Sequence, residues 1–191
     1  MGAPARRAVL AGLLALPLPA AATGRVWRFD HSVGRITFTA RHFGVFSSTG
    51  RFERFRATVA LDPADPSDAR VEAAVETAAI SHPWPAAGPL LRSPAFFDSE
   101  RFPEARFAGR ASGVAAGAAF PLTGTLSVRG IERPFRMEAR LAGRGFDAAA
   151  GGEVADFAAE GVLDRTEFGM VAEREAIADQ IGLSVRVRLL L

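Results

Sequence analysis

The chain has 191 residues, 49% of them hydrophobic, with no cysteine, and its formal charge is only +2. Lysine and tyrosine are missing as well, so almost nothing titrates between neutrality and arginine, and the pI of about 10.7 marks no basic patch. The missing cysteine excludes disulfides, thiolate metal sites, cysteine nucleophiles and covalently attached c-type haem, which leaves packing as the source of stability.

In chain order, the first feature is Arg6-Arg7, followed by the apolar run AVLAGLLAL and then PLPAAA. A short basic region, a short apolar region and an Ala-x-Ala site at Ala20-Ala21-Ala22 make a signal peptide over residues 1–22, with cleavage near Ala22. The apolar run is too short for a stable membrane anchor. This reading puts the mature chain, residues 23–191, in the periplasm or outside the cell, and the paired arginines fit a twin-arginine export route. Two of the 23 basic residues belong to the leader, so the remaining 21 face 21 acidic ones. They alternate along the chain as on a solvated surface, which argues against a nucleic-acid partner.

From Arg35 to His42 the residues Ile36, Phe38, Ala40 and His42 share one face while Arg35, Thr37, Thr39 and Arg41 share the other. That alternation predicts a half-buried strand. It recurs at Phe55, Ala57, Val59 and Leu61; at Val71, Ala73, Val75 and Thr77; at Phe120, Leu122, Gly124, Leu126 and Val128; at Phe135, Met137, Ala139 and Leu141; and from Ile181 to Leu189. Turn signals at residues 62–66, Arg129-Gly130 and Gly151-Gly152 separate the runs, so the expectation is one all-β domain, an antiparallel sandwich or barrel. Two segments break the rhythm, residues 82–98 and 164–179, and read as short helices or ordered loops across the barrel mouth. A transmembrane barrel would turn Arg54, Arg56, Arg136, Arg140, Arg186 and Arg188 into lipid, at about 2–4 kcal/mol for each arginine near mid-membrane.

The residues with catalytic or metal-binding chemistry are few. Asp30-His31-Ser32 contains the side chains of a hydrolase triad, but consecutive strand residues point to opposite faces and cannot relay a proton in line. The simpler role for Asp30 and Ser32 is to satisfy backbone groups at a turn. His31, His42 and His82 lack metal-ligand spacing, so no metal and no cofactor is expected. His42 is in phase with Phe38 and Ala40 and would need a partner if buried. Arg165 suits either a loop clamp or an anionic head group. Fifteen phenylalanines and no tyrosine give an interior that favours hydrocarbon.

Several of these segments together resemble the YceI-like family of periplasmic lipid-binding barrels. Trp27 with Asp30-His31-Ser32 resembles its opening, followed by His42 and by Gly50-Arg51-Phe52 for its Gly-x-Phe. Leu91-Arg92-Ser93, Phe96-Phe97-Asp98, Phe102-Pro103 and Phe107 follow in the family's order. Gly124-Thr125-Leu126 with Gly130 and Pro134, then Asp164-Arg165 with Phe168-Gly169-Met170, complete the pattern almost to the C-terminus. At Gly88-Pro89-Leu90-Leu91 the chain departs from a polar Asp-x-His of relatives, which makes this loop more apolar and stiffer.

The resemblance implies a lipocalin-like antiparallel β-barrel, with short helical or loop segments near residues 82–98 and 164–179, that binds polyisoprenoid or similar long-chain lipid without catalysis. On that basis the ligand-facing residues are expected to be Phe38, Phe52, Phe55, Trp84, Leu90, Leu91, Phe96, Phe97 and Met170 for apolar contact. His42 and Arg165 are the expected head-group partners. The ligand would be an isoprenoid quinone, its precursor or a comparable lipid, carried or stored in the lumen, with transient membrane contact and a homodimer as further expectations. The competing readings are an enzyme on a small amphiphile with His42 or His31 as general base, and a solid-core interaction domain related to stress.

Overall fold

The computed structural model describes residues 25–62, 65–113 and 118–190. The leader expected over residues 1–22 lies outside them. Among the described residues are eleven strands: β1 (Arg25–Asp30), β2 (Gly34–His42), β3 (Phe46–Phe52), β4 (Phe55–Asp62), β5 (Asp65–Glu76), β6 (Ile80–Ser81), β7 (Glu104–Ser112), β8 (Ala119–Val128), β9 (Ile131–Asp147), β10 (Gly152–Asp164) and β11 (Ile177–Leu190). The helix α1 (Ala87–Arg92) lies between β6 and β7, and a 3-10 turn (Arg165–Phe168) follows β10.

All eleven strands belong to one antiparallel sheet, and the pairing register shows that they act as eight long ones. β2 pairs with β3 next to their turn while β1 pairs with β4 farther along, so β1–β2 and β3–β4 are two bent strands of one hairpin. The β3–β4 stretch pairs in turn with β5–β6, and Glu53 N–H to the Ala79 carbonyl and Glu76 N–H to the Arg54 carbonyl carry the ladder across the bend. From β5 through β7, β8, β9, β10 and β11 each strand pairs with the next, and β11 pairs back onto β2. The result is an up-and-down antiparallel barrel, the lipocalin-like architecture expected from the sequence. Closure leaves few exposed strand edges.

The strands form where side chains alternate, and the predicted inner faces do point inward. Ile36, Phe38, Ala40, His42, Phe55, Ala57, Phe120, Leu122, Leu126, Val128, Phe135, Met137, Ala139 and Leu189 are all buried. One core cluster centres on Phe120, Leu122, Phe135, Met137 and Phe168, and a second on Ile36, Phe38, Phe52, Phe55 and Ile80. Two glycines on the inner face make room for this packing. A Cβ on Gly50 would lie 2.2 Å from the Phe38 ring, which occupies that space across the strand pair. A Cβ on Gly124 would lie 2.2 Å from the Ala108 carbonyl oxygen, so β7 and β8 approach closely only because that position is bare.

Sequence periodicity did not mark β1, β7 or β10. The inner positions of β7 are the small Ala105, Gly109 and Ala111, joined by Phe107, which give little hydrophobic contrast. In β10 the register against β9 shifts between Asp156 and Phe157. The extra residue of that bulge, Ala142, lies in β9; β10 hides its own alternation because consecutive residues Val154-Ala155 and Ala158-Ala159 are buried, leaving no contrast between its faces.

Outside, charges pair across strands. Arg56 forks onto Glu104 at 2.6 and 3.1 Å, and Arg188 holds Asp156 at 2.8 and 2.9 Å. These pairs are largely exposed, each worth no more than about 1 kcal/mol, so they specify the wet face more than they stabilise it.

Candidate functional site

The barrel encloses a cavity of about 430 Å³. Its wall is overwhelmingly apolar, with Phe29, Phe38, Phe52, Val71, Val75, Phe107, Leu126, Phe135, Met137, Leu163, Leu183 and Val185 among the contributing side chains. The cavity extends to the end of the barrel where the β2–β3 turn, the 82–103 segment, the Arg129-Gly130 turn and the 164–176 segment converge.

The first cap over this end is built on α1. Pro89 falls in the first turn of that six-residue helix, where its missing N–H leaves no bond unmade. Ser93 N–H and Oγ–H both donate to the Leu90 carbonyl and close the helix. Phe97 N–H to the Leu91 carbonyl and Ser99 N–H to the Arg92 carbonyl fold the following turn back on it. Arg129, from the β8–β9 turn, donates from Nη1 to the carbonyls of Pro94 and Phe96 at 3.1 and 2.5 Å. This bracing sets Leu90, Leu91, Phe96 and Phe97 on the cavity wall.

The second cap follows β10. Asp164 Oδ1 accepts from the N–H and hydroxyl of Thr166 at 2.8 and 2.6 Å, and Gly169, at φ 76°, ends the short 3-10 turn. Within this cap Arg165 is only 2% exposed. It donates from Nε to the Ala178 carbonyl at 3.1 Å, from Nη1 to the carbonyls of Met170 and Ala172 at 2.7 Å each, and from Nη2 to the Ile177 carbonyl at 2.9 Å. Asp179 lies 3.5 Å away. Burial pushes its pKa down and Asp179 pushes back. Of the two roles left open by the sequence, the structure places Arg165 as the clamp that gathers the loop back onto β11. Its fork is spent on backbone oxygens.

Polar groups on the wall are sparse and sit mainly near the mouth. His42 is buried, with Nε2 2.7 Å from Ser48 Oγ across the β2–β3 hairpin and its ring 4.9 Å from the Trp84 ring. His82 stands edge-on to Trp84 at 5.3 Å, and its Nδ1 accepts the Trp84 N–H at 3.0 Å. Burial holds His82 below the usual imidazole range, with His42 pushing the same way, so it is neutral at pH 7. Glu173 also reaches the cavity edge, whereas the Arg106 guanidinium is turned to the outer face, on Glu104 at 2.8 and 3.1 Å.

The fold therefore brings Phe38, His42, Phe52, Trp84, Leu90, Leu91, Phe96, Phe97, Arg165 and Met170 to one cavity, and leaves out Phe55. Phe55 faces inward but lies in the second core cluster, with its ring 6.5 Å from His31 and against the bare position of Gly34. His31 is exposed at the β1–β2 turn, off the cavity, so only His42 of the two proposed bases faces the lumen. Asp30 Oδ1 accepts from the N–H and hydroxyl of Ser32 at 2.8 and 2.6 Å, the turn role expected of that pair. Among the described residues no group of three or more metal-ligand side chains occurs. Sequence reasoning missed Ser48 and the mouth position of His82; in Ser48 the available signal was its register opposite Ala40, one step from His42.

The hairpin at the mouth has an unusual turn. Phe43 and Gly44 are both left-handed, at φ 49° and 69°, and Val45 N–H donates to the His42 carbonyl at 3.0 Å. Two consecutive positive φ angles make a type I′ turn, which ordinarily takes Asn-Gly. Phenylalanine in the first position is strained.

Four similarities to known proteins bear on this architecture. A family model described as a YceI-like domain matches residues 27–189. The protein YceI of Salmonella arizonae is 28% identical over 152 residues, covering 80% of this chain and 78% of that protein. Among solved structures, BcnA of Burkholderia cenocepacia superposes with a TM-score of 0.71 at 18% identity, over 84% of this chain and 98% of that one. A polyisoprenoid binding domain from Saccharophagus degradans, implicated in plant cell wall breakdown, gives a TM-score of 0.56 at 11% identity, over 85% and 96%.

Proposed function

Because the chain belongs to the YceI-like domain family, we propose that it is a lipid-binding protein of the periplasm that holds one long-chain, neutral-headed lipid in its lumen as carrier or reservoir. The observation that carries this reading is the capped apolar cavity of about 430 Å³, a volume in the range of small-molecule sites of roughly 300–1,000 Å³. A solid-core interaction domain would have no such space. The named ligand class of the Saccharophagus degradans neighbour, a polyisoprenoid, matches the chemistry of the wall.

The lumen favours a chain over a charge. Each methylene transferred from water contributes about 0.8 kcal/mol, so ten such groups offer about 8 kcal/mol before ordering costs. A phosphate or carboxylate head would need a cation, and the arginine at the wall, Arg165, is engaged with carbonyls. His42, Ser48 and His82 instead suit a neutral hydroxyl or carbonyl, as on a prenyl alcohol or quinone.

The test is native mass spectrometry of the protein purified after export, followed by solvent extraction. One neutral long-chain lipid per chain is the expected result, with affinity rising along a prenyl length series and a filled lumen, Ala73→Phe, losing the load. An apo mass that persists after incubation with prenyl lipids, or equal affinity for short and long chains, refutes the reading.

The His42–Ser48 contact of 2.7 Å favours one second reading, an enzyme on a small amphiphile with His42 as base. Among the described residues no carboxylate is hydrogen-bonded to His42, so the orienting member of a triad is missing. A pH-dependent turnover that His42→Ala abolishes while lipid binding persists would establish that reading instead.

A further inference from the structure

Among the described residues, six of the eleven exposed large hydrophobic side chains gather at one end, around the cavity mouth. Phe43, Val45 and Phe46, around the β2–β3 turn, are 69%, 79% and 63% exposed, more than single surface hydrophobics require. Trp84, Leu90 and Val171 are exposed beside them. These six residues surround the cavity mouth. Phe43 N–H donates to the Ala176 carbonyl at 3.0 Å, which ties the hairpin to the loop that carries Val171. The Trp84 ring packs against His42 at a 57° tilt at the foot of the same hairpin, and Trp84 and Leu90 line the cavity from the α1 cap. The apolar surface is thus continuous from the lumen, over the rim, to the outside.

We propose that this rim docks the protein on a lipid bilayer, with Phe43, Val45 and Phe46 entering the interface so that the cavity mouth opens toward the acyl chains. The proposal rests on the lipid-holding reading of the lumen. A ligand that is itself a bilayer component must cross between lumen and membrane, and a rim of the same polarity spares its chain a passage through water. The strained left-handed Phe43 supports it, because an Asn in that position would relieve the strain and the ring gains nothing inside the protein to offset it. An amphipathic Trp84 beside the rim is the side chain that favours the membrane–water interface.

Charge does not set the docking. Arg41, Arg92 and Arg174 at this end stand against Glu173, Glu175 and Asp179, with Arg174 paired to Asp179 at 2.6 Å. Binding should therefore be as good to zwitterionic lipid as to anionic lipid, and indifferent to salt.

The experiment is flotation of the exported protein with phosphatidylcholine vesicles at low and high salt, with lipid load measured on the same samples by extraction and mass spectrometry. The wild type should float at both salt levels. The triple variant Phe43→Asn, Val45→Ser, Phe46→Ser should lose vesicle affinity by about tenfold or more while keeping its fold, because the three side chains are exposed. Phe146→Ser, 75% exposed at the far end of β9, should float like the wild type. The proposal is overturned if the wild type stays in the aqueous phase, if the triple variant floats undiminished, or if Phe146→Ser loses as much. It is also overturned if the rim instead joins two copies, seen as a dimer mass that the triple variant halves, with no flotation. A loaded protein that does not float sinks the docking alone, whereas one that floats but never carries lipid sinks the lumen reading alone.

Discussion

Replacing Arg165 by Met keeps most of the aliphatic bulk and removes the guanidinium. Four carbonyl oxygens, of Met170, Ala172, Ile177 and Ala178, then lose a charged donor, in a place where the side chain they bonded is 2% exposed. A buried acceptor left without a partner costs about 1–3 kcal/mol. The bond to Met170 is fully buried and the other three are partly so, which lets water recover some of them. The sum is therefore below four full penalties, at about 3–5 kcal/mol, the range for breaking a buried ionic arrangement. That is a large share of a typical domain stability of about 5–15 kcal/mol. Urea unfolding should show the loss in the midpoint, and hydrogen exchange should show residues 165–178 opening well below global unfolding. Arg165→Lys should recover less than half, since a single ammonium cannot fork onto four carbonyls. A loss under about 1 kcal/mol with unchanged exchange refutes the clamp. A stable Arg165→Met that merely discriminates less between anionic and neutral lipids would restore the head-group role.

Three other substitutions separate the remaining contributions. Gly50→Ala puts a Cβ where the Phe38 ring sits, so it should destabilise by about 1–3 kcal/mol in urea and shift Phe38 into the lumen, with reduced lipid load as the second readout. An unchanged midpoint would mean that the ring moves freely. Phe43→Asn should raise stability by about 0.5–1 kcal/mol, because Asn accepts the left-handed backbone more readily than Phe; a lower melting temperature contradicts the strain argument. His82 is held below its ordinary 6.5, first by burial and also by His42. The unfolded chain therefore takes up a proton that the folded one resists, and stability should fall as pH drops through 6.5 toward the folded value. His82→Gln should flatten the stability profile between pH 7.5 and 5.5, and a variant that keeps the slope would assign it elsewhere.

Alternation alone determined much of this protein. Ile36 to His42, Phe55 to Leu61, Phe120 to Val128 and Phe135 to Ala139 face inward because a strand's side chains repeat every two residues, and burying the apolar set leaves arginine and acid outside. Composition likewise settled that packing without disulfides holds the molecule, and the two arrhythmic segments were legible as caps. Tertiary structure decided the rest. Strand β10 was invisible because consecutive residues Val154-Ala155 and Ala158-Ala159 are buried and leave no contrast between its faces, and β7 because small residues do the same. Phe55 shows the same limit from the other side: phase places it inward, but only closure of the barrel determines whether an inward ring fills the core or borders open space. The role of Arg165 depended on four carbonyls from a loop that folds back on it, and the pairing of His42 with Ser48 on a hairpin register. Local sequence sets which way a side chain points, and what it meets there is set by chain segments distant in sequence.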